Sequence, residues 1–238
     1  SPVVYRLTKV GLVQPARGPR GGRDAGAPDT AFGGASQKRD RSRRVLVLRS
    51  SCGAAAPLDR GRLPRDPRRS PPSVGRIDAL INGAGPYHRV SLLEETNEGW
   101  HSMFDNNLHP VFYLSQAVVP IMKEQKWGRI ICFSMANAEQ LIAQPQLTAH
   151  YITKVGLLAL ARSLARLVAP HGITVNAISP GFIDSGSAPK EELETAAKRI
   201  PAGYVGSVED AAAAVRFLLS DEARYINGAS IQLSGAWG

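Results

Sequence analysis

From residue 77 to the end of the chain, apolar and polar positions alternate between two rhythms. Ile77-Asp-Ala-Leu-Ile81 is a short apolar run broken at once by Asn82-Gly83-Ala84-Gly85, which predicts a strand and a tight turn. Leu92 to Trp100 reads as a short helix start, and a second helix opens near Phe104 and runs to about Gln125. Gly128 to Ser134 is apolar on both faces, as a central parallel strand should be. Val155, Leu158, Ala161, Leu164, Ala165 and Val168 recur at helical spacing, and Pro170 with Gly172 stops that helix. Ile173 to Ile178 then predicts a buried strand, closed by Ser179-Pro180-Gly181. Helices follow at Pro189–Arg199 and Ser207–Ser220, the latter opening on a capping-box sequence from Ser207 to Asp210, and Ala229–Leu233 is the last strand. Strands alternating with helices imply a mainly parallel α/β sheet whose ligands gather at the carboxyl ends of the strands.

The first third has no such rhythm. Gln14 to Arg76 is built from Arg, Gly, Pro, Ala and Ser, with only Val45–Leu48 patterned as a strand. Charge separates the two parts as well. Residues 1–76 hold 17 Lys and Arg against 5 Asp and no Glu, whereas residues 77–238 hold 12 basic against 15 acidic residues. The overall charge of +9 therefore belongs to one segment and not to the fold, and nucleic acid is not the expected partner. Arg-Gly-Pro-Ala richness without Glu is also what a GC-rich gene gives when read out of frame. Two cysteines, Cys52 and Cys132, make neither a disulfide framework nor a metal pattern, so the expectation is a reducing, cytoplasmic setting without a metal. No apolar run is long enough to span a bilayer, and no secretory signal is read at the start.

The stretch Tyr151-Ile-Thr-Lys154, with LLALARSLA after it and Asn176-Ala-Ile-Ser-Pro180-Gly181 closing the next strand, resembles the short-chain dehydrogenase/reductases. Within that family the likeness is closest to the bacterial 3-oxoacyl-carrier-protein reductases, and it covers roughly residues 77–238. It implies a Rossmann-type, doubly wound single domain over residues 1–238, in which residues 1–76 stand in place of the usual first βαβ units. None of Gly18, Gly21, Gly22, Gly26, Gly33 or Gly34 gives the family's phosphate-binding turn. Tyr5 and Lys9 repeat the family's Tyr-Lys interval, but no long apolar helix follows them, and they read as a chance echo.

What the resemblance implies for the site is specific. Asn82, Gly83, Ala84 and Gly85 would close the nucleotide pocket, and Pro180, Gly181 and Ile183 would lie by the nicotinamide. Asn107 would hold a water against the active-site lysine, with Asn106 beside it. Tyr151 would be the acid, Lys154 its tuner and ribose anchor, and Ser134 the carbonyl partner, with Asn137 another donor nearby. A carbonyl taking up a hydride needs a proton on its oxygen, and a phenol must be tuned down by a nearby cation to give one near neutral pH. The implied activity is reduction of a 3-oxoacyl thioester or similar ketone with NADP(H), or NAD(H), in a dimer or tetramer packed through the 108–125 and 151–168 helices.

Two departures from the family pattern fall inside the site. The usual double Ser reads Ser134-Met135, and Tyr151 stands three residues before Lys154 with His150 in the four-back position. Spacings of three and four share a helix face, so Tyr151 can still reach Lys154, though turned by about 100°. His150, a lone His before a helix, reads as structural. A scaffold that keeps the fold for binding or assembly is the other reading.

Overall fold

The structure, a computed structural model, describes residues 45–48, 76–83, 85–186 and 189–238. The Tyr5–Lys9 echo, the glycines between 18 and 34, Cys52 and Ala84 lie outside these residues. In chain order the described elements are β1 (Val45–Leu48), β2 (Ala79–Asn82), α1 (Asn97–Asn107), α2 (His109–Gln125), β3 (Gly128–Phe133), α3 (Thr148–Val168) and β4 (Ile173–Pro180), then β5 (Ile183–Asp184), α4 (Lys190–Ala197), β6 (Gly206–Ser207), α5 (Val208–Leu219) and β7 (Ser230–Leu233).

Among the described residues, five strands form one sheet in the order β1-β2-β3-β4-β7, each pair parallel. A parallel sheet needs a crossover between neighbouring strands, and helices on its faces supply it. Strand β3 shows why the layers form. Ile130 and Cys132 point to the face covered by α2 and α3, where they meet Val118, Met122, Leu157 and Val175. Ile131 and Phe133 point the other way, to Leu218, Val215 and Ile178. Both faces are apolar because both are covered. Strand β4 repeats the pattern, with Ile173 and Val175 on one face and Ile178 on the other.

The local signals act where they are expected. Ser207 caps α5 in a complete capping box with Asp210. Gly172 ends the turn after α3 at φ +71°, and a Cβ there would stand 2.6 Å from the Lys126 carbonyl oxygen. Two boundaries differ from the sequence reading. Helix α1 begins at Asn97, because the Thr96 hydroxyl accepts the Gly99 N–H and fixes the start there, five residues beyond Leu92. The expected single helix from Phe104 breaks after Asn107, and Pro110 sits in the first turn of α2.

The site's frame is the edge where β2, β3 and β4 end at Asn82, Phe133 and Pro180. Asn176 helps hold that frame: its side chain donates to the Ile226 carbonyl and accepts the Ala229 N–H, tying β4 to the approach of β7.

Candidate active site

Lys154 sits on the face of α3 turned to the ends of β2 and β3. It is 5% exposed, and its Nζ donates to the Phe133 carbonyl at 3.0 Å. Burial pulls its pKa down to about 8, with Cys132 pushing weakly the other way. Cys132 beside it is a buried thiol pushed up to about 12, mainly by desolvation. Its sulfur accepts from Asn82 Nδ2 at 3.7 Å.

The turn after β2 lies against this amine. A Cβ on Gly85 would run into Asn107 Oδ1 and come within 2.7 Å of Lys154 Nζ, so only a glycine lets the backbone pass so close. Asn107 is buried at the end of α1 and donates to the Pro86 and Met103 carbonyls, both at 3.0 Å. Asn106 is used locally instead, on Ser102 one turn back. Asn107 and Lys154 are thus brought together as expected, and Asn82 and Gly85 with them. Gly83 is exposed at the start of the turn.

Three buried acceptor atoms around the amine lack hydrogen-bond partners: Asn82 Oδ1, Asn107 Oδ1 and His150 Nδ1. Such atoms are costly to leave without a partner, and a donor-bearing molecule would satisfy them. The sugar hydroxyls and carboxamide of a nicotinamide nucleotide are donors of that kind. The residues present therefore fit its ribose and nicotinamide end.

The Tyr151 expectation is not met. The ring packs with Ala138, Leu158 and Ala177. Its hydroxyl donates to the Asn137 carbonyl at 3.1 Å and accepts the Ile142 N–H at 3.1 Å, so it clamps the 137–142 loop. That loop bends through left-handed residues at Asn137 and Leu141. The cause is the short spacing: the apolar stripe of α3 fixes Lys154 toward the sheet edge, and Tyr151 follows its neighbours Val155 and Leu158.

Ser134 differs from expectation as well. Its side chain is buried and donates to the Lys154 carbonyl at 3.0 Å, joining the end of β3 to α3. The hydroxyl proton is committed inside the protein, and the residue positions the helix. Asn137 accepts from Gln140 through Oδ1 at 3.4 Å, and its side chain closes on Gly238. Met135 is half-buried in the Tyr151 cluster.

His150, expected to be structural, stands one turn before Lys154 on α3. Its pKa is depressed to about 4, first by burial, then by the Lys154 charge and weakly by His88, while the Pro86 carbonyl works in the opposite direction. The Tyr87 ring packs near it at 5.9 Å. The segment carrying Pro86 and Tyr87 is held over the start of α3 by Val90 and Leu92 N–H bonds to the Gln146 and Pro145 carbonyls. The four-residue interval to Lys154 was the signal for this residue. For Cys132 and the Pro86 carbonyl the sequence carries none, because their part arises only from tertiary packing.

On the far wall, the Gly181 N–H donates to the Leu233 carbonyl, and the Pro180 carbonyl accepts from Ala136. Ile183 lies in β5, paired with β6, its side chain against Gly206. A cavity of about 590 Å³ lies instead at the amino ends of β3 and β4, lined by Trp127, Arg129 and Tyr225. It is remote from Lys154 and contributes nothing to this site.

The comparisons with known proteins show what the chain is similar to. The enoyl-(acyl carrier protein) reductase family model matches residues 70–235. A Bacillus subtilis protein named as an oxidoreductase, YtkK, is 38% identical over 168 residues, which cover 68% of this chain and 66% of its own. The 3-oxoacyl-[acyl-carrier-protein] reductase FabG of Salmonella typhimurium is 36% identical over 170 residues, with the same coverage. Among solved structures, a 3-oxoacyl-reductase from Bacillus thuringiensis aligns with TM-score 0.60 at 35% identity, covering 68% of this chain and 67% of that one. The chain spans 66% of the length of these two curated relatives.

Proposed function

The chain belongs to the short-chain dehydrogenase/reductase family, and on that premise we propose that it is an oxidoreductase acting on a carbonyl–alcohol pair with a nicotinamide dinucleotide. NADP(H) is the proposed cofactor, with NAD(H) the alternative. The proposed substrate is a 3-oxoacyl thioester, as the name of the Salmonella relative suggests, or a similar ketone. The observation that carries the reading is the buried amine of Lys154 among three unpaired acceptors at the carboxyl edge of the sheet.

Bound there, the nicotinamide would supply or take up the hydride. Lys154 holds the ribose, and Asn107 holds a water against its amine. Asn82, Gly83 and Gly85 line one side of the nucleotide, together with Ala84, which lies outside the described residues. Pro180, Gly181 and Ile183 wall the other side. Lys154 brings a positive charge into a water-poor site, where it stabilises negative charge developing on a substrate oxygen far better than it would in bulk water. Its bond to the Phe133 carbonyl aims that charge.

The same proposal includes a homodimer or homotetramer built on α2 and α3, supported by Phe112, Ile152 and Leu167, which are large apolar residues left exposed on those helices. A cytoplasmic setting belongs to it as well, supported by the free, buried Cys132. No helix among the described residues is long and apolar enough to cross a membrane.

The test is oxidation of NADPH or NADH with acetoacetyl-N-acetylcysteamine as the acceptor. The wild-type protein is expected to consume the reduced nucleotide, and Lys154→Met is not. Neither turnover nor nucleotide binding by the wild type would leave only the scaffold reading.

A further inference from the structure

A hydride alone does not complete the chemistry: the oxygen of the carbonyl–alcohol pair must also gain or lose a proton. The phenol expected to exchange it is occupied on the Asn137 carbonyl and the Ile142 N–H. Ser134 has committed its own proton to the Lys154 carbonyl.

We infer that His150 exchanges this proton, through the buried, unpartnered Nδ1 that it presents beside Lys154. The inference rests on the proposed function above. Three observations converge on it. His150 precedes Lys154 by four residues on α3, so both side chains share one helix face. The Tyr87 ring packs near His150 at 5.9 Å, on the segment whose Pro86 carbonyl takes the Asn107 amide. Its Nδ1 is buried with nothing to bond, which is the state of a group waiting for a substrate atom.

The step balances in both directions. In oxidation, the alcohol O–H bond breaks and its proton goes to Nδ1, while the carbinol C–H leaves as hydride to the oxidised nicotinamide. In reduction, the carbonyl carbon receives the hydride, the C–O π pair moves to oxygen, and the proton returns from Nδ1–H. The charged and titratable groups facing the ring are Lys154 from α3 and His88 from the loop before α1, with Tyr87 stacked near it and Glu95 paired to His88. Lys154 and His88 hold the ring neutral near pH 7, with burial the larger cause. The proton-accepting form therefore predominates, oxidation runs at neutral pH, and reduction accelerates as the pH falls toward the ring's own range. A tyrosine acid has no reason to give that acid limb.

The experiment pairs kinetics with a direct view of the ring. In ¹⁵N-histidine-labelled wild type holding NADP⁺, added 3-hydroxybutyryl-N-acetylcysteamine is expected to move the His150 Nδ1 resonance in the direction of an accepted hydrogen bond. His150→Gln is expected to lower kcat at least about 100-fold with KM within a few-fold, the scale of a lost acid–base group. Tyr151→Phe is expected to stay within about threefold of wild type, since its hydroxyl touches only backbone. An unmoved Nδ1 resonance, an active His150→Gln, or a Tyr151→Phe as impaired as His150→Gln would each overturn the inference while nucleotide binding still stands. A wild type that binds no nucleotide would overturn both this and the proposed function.

Discussion

The middle of β3 and β4 and the carboxyl edge of the same sheet lie a few residues apart and follow opposite rules. In the middle, Ile130, Ile131, Val175 and Ile178 are at most 1% exposed and pack against apolar neighbours. At the edge, a buried amine and a half-buried imidazole have depressed pKa values, and three acceptor atoms go without partners. The middle contributes stability, whereas the edge gives some of it up. A group of unsatisfied polar atoms calls for a partner, and this contrast is the basis for placing the proposed site at the edge.

Substitutions should separate the two regions by the sign of their effect. Leu157→Ala, in the core directly beyond Lys154, is expected to cost about 2–5 kcal/mol in urea unfolding, the usual price of a cavity. One turn away the sign reverses. Lys154→Met should raise unfolding stability by about 1–3 kcal/mol at pH 7 while removing nucleotide-dependent turnover, because it deletes a desolvated amine. The pH dependence of that gain follows from the depressed pKa. The folded amine titrates near 8 and the unfolded one near 10.5, so the gain is full below pH 8 and vanishes by about pH 10.5. If Lys154→Met is instead destabilising at pH 7, the edge is not paying for its amine.

His150 sharpens the contrast on the acid side. Its ring takes a proton near pH 6.5 when unfolded and near 4 when folded, so wild-type stability should drop across that interval as pH falls. His150→Gln should lack this drop, leaving a difference of about 1–3 kcal/mol at pH 4, measurable by thermal unfolding. Identical acid profiles would place the ring in water. The smallest effect belongs to Tyr151→Phe, expected to lose about 1 kcal/mol through the freed 137–142 loop and to keep its activity.

The middle was legible in the sequence and the edge only partly. Apolar residues on both faces of 128–133 can mean little other than a covered central strand, and Ser207 with Asp210 marks a helix start by chemistry that is local. Asn82, Gly85, Asn107 and Lys154 were assigned through the family resemblance, and the fold brings them together. Tyr151 is engaged with the 137–142 loop, and His150 stands one turn before Lys154. Adjacent helix positions differ by about 100°, and which of them meets the sheet edge depends on packing against β3 and β4 that no local pattern records. Ser134 was misread for a similar reason: it is at the strand end as expected, but its hydroxyl turns back to α3.

The central claim is that Lys154, and not Tyr151, defines the nucleotide end of this site. Fluorescence titration of NADPH, with NADH in parallel, into wild type, Lys154→Met and Tyr151→Phe tests it most directly. Wild type and Tyr151→Phe should saturate with dissociation constants within about threefold of each other, and Lys154→Met should bind at least about tenfold more weakly, a loss of about 1.4 kcal/mol. A wild type that binds neither nucleotide, or a Lys154→Met protein that binds as tightly as wild type, would contradict the account.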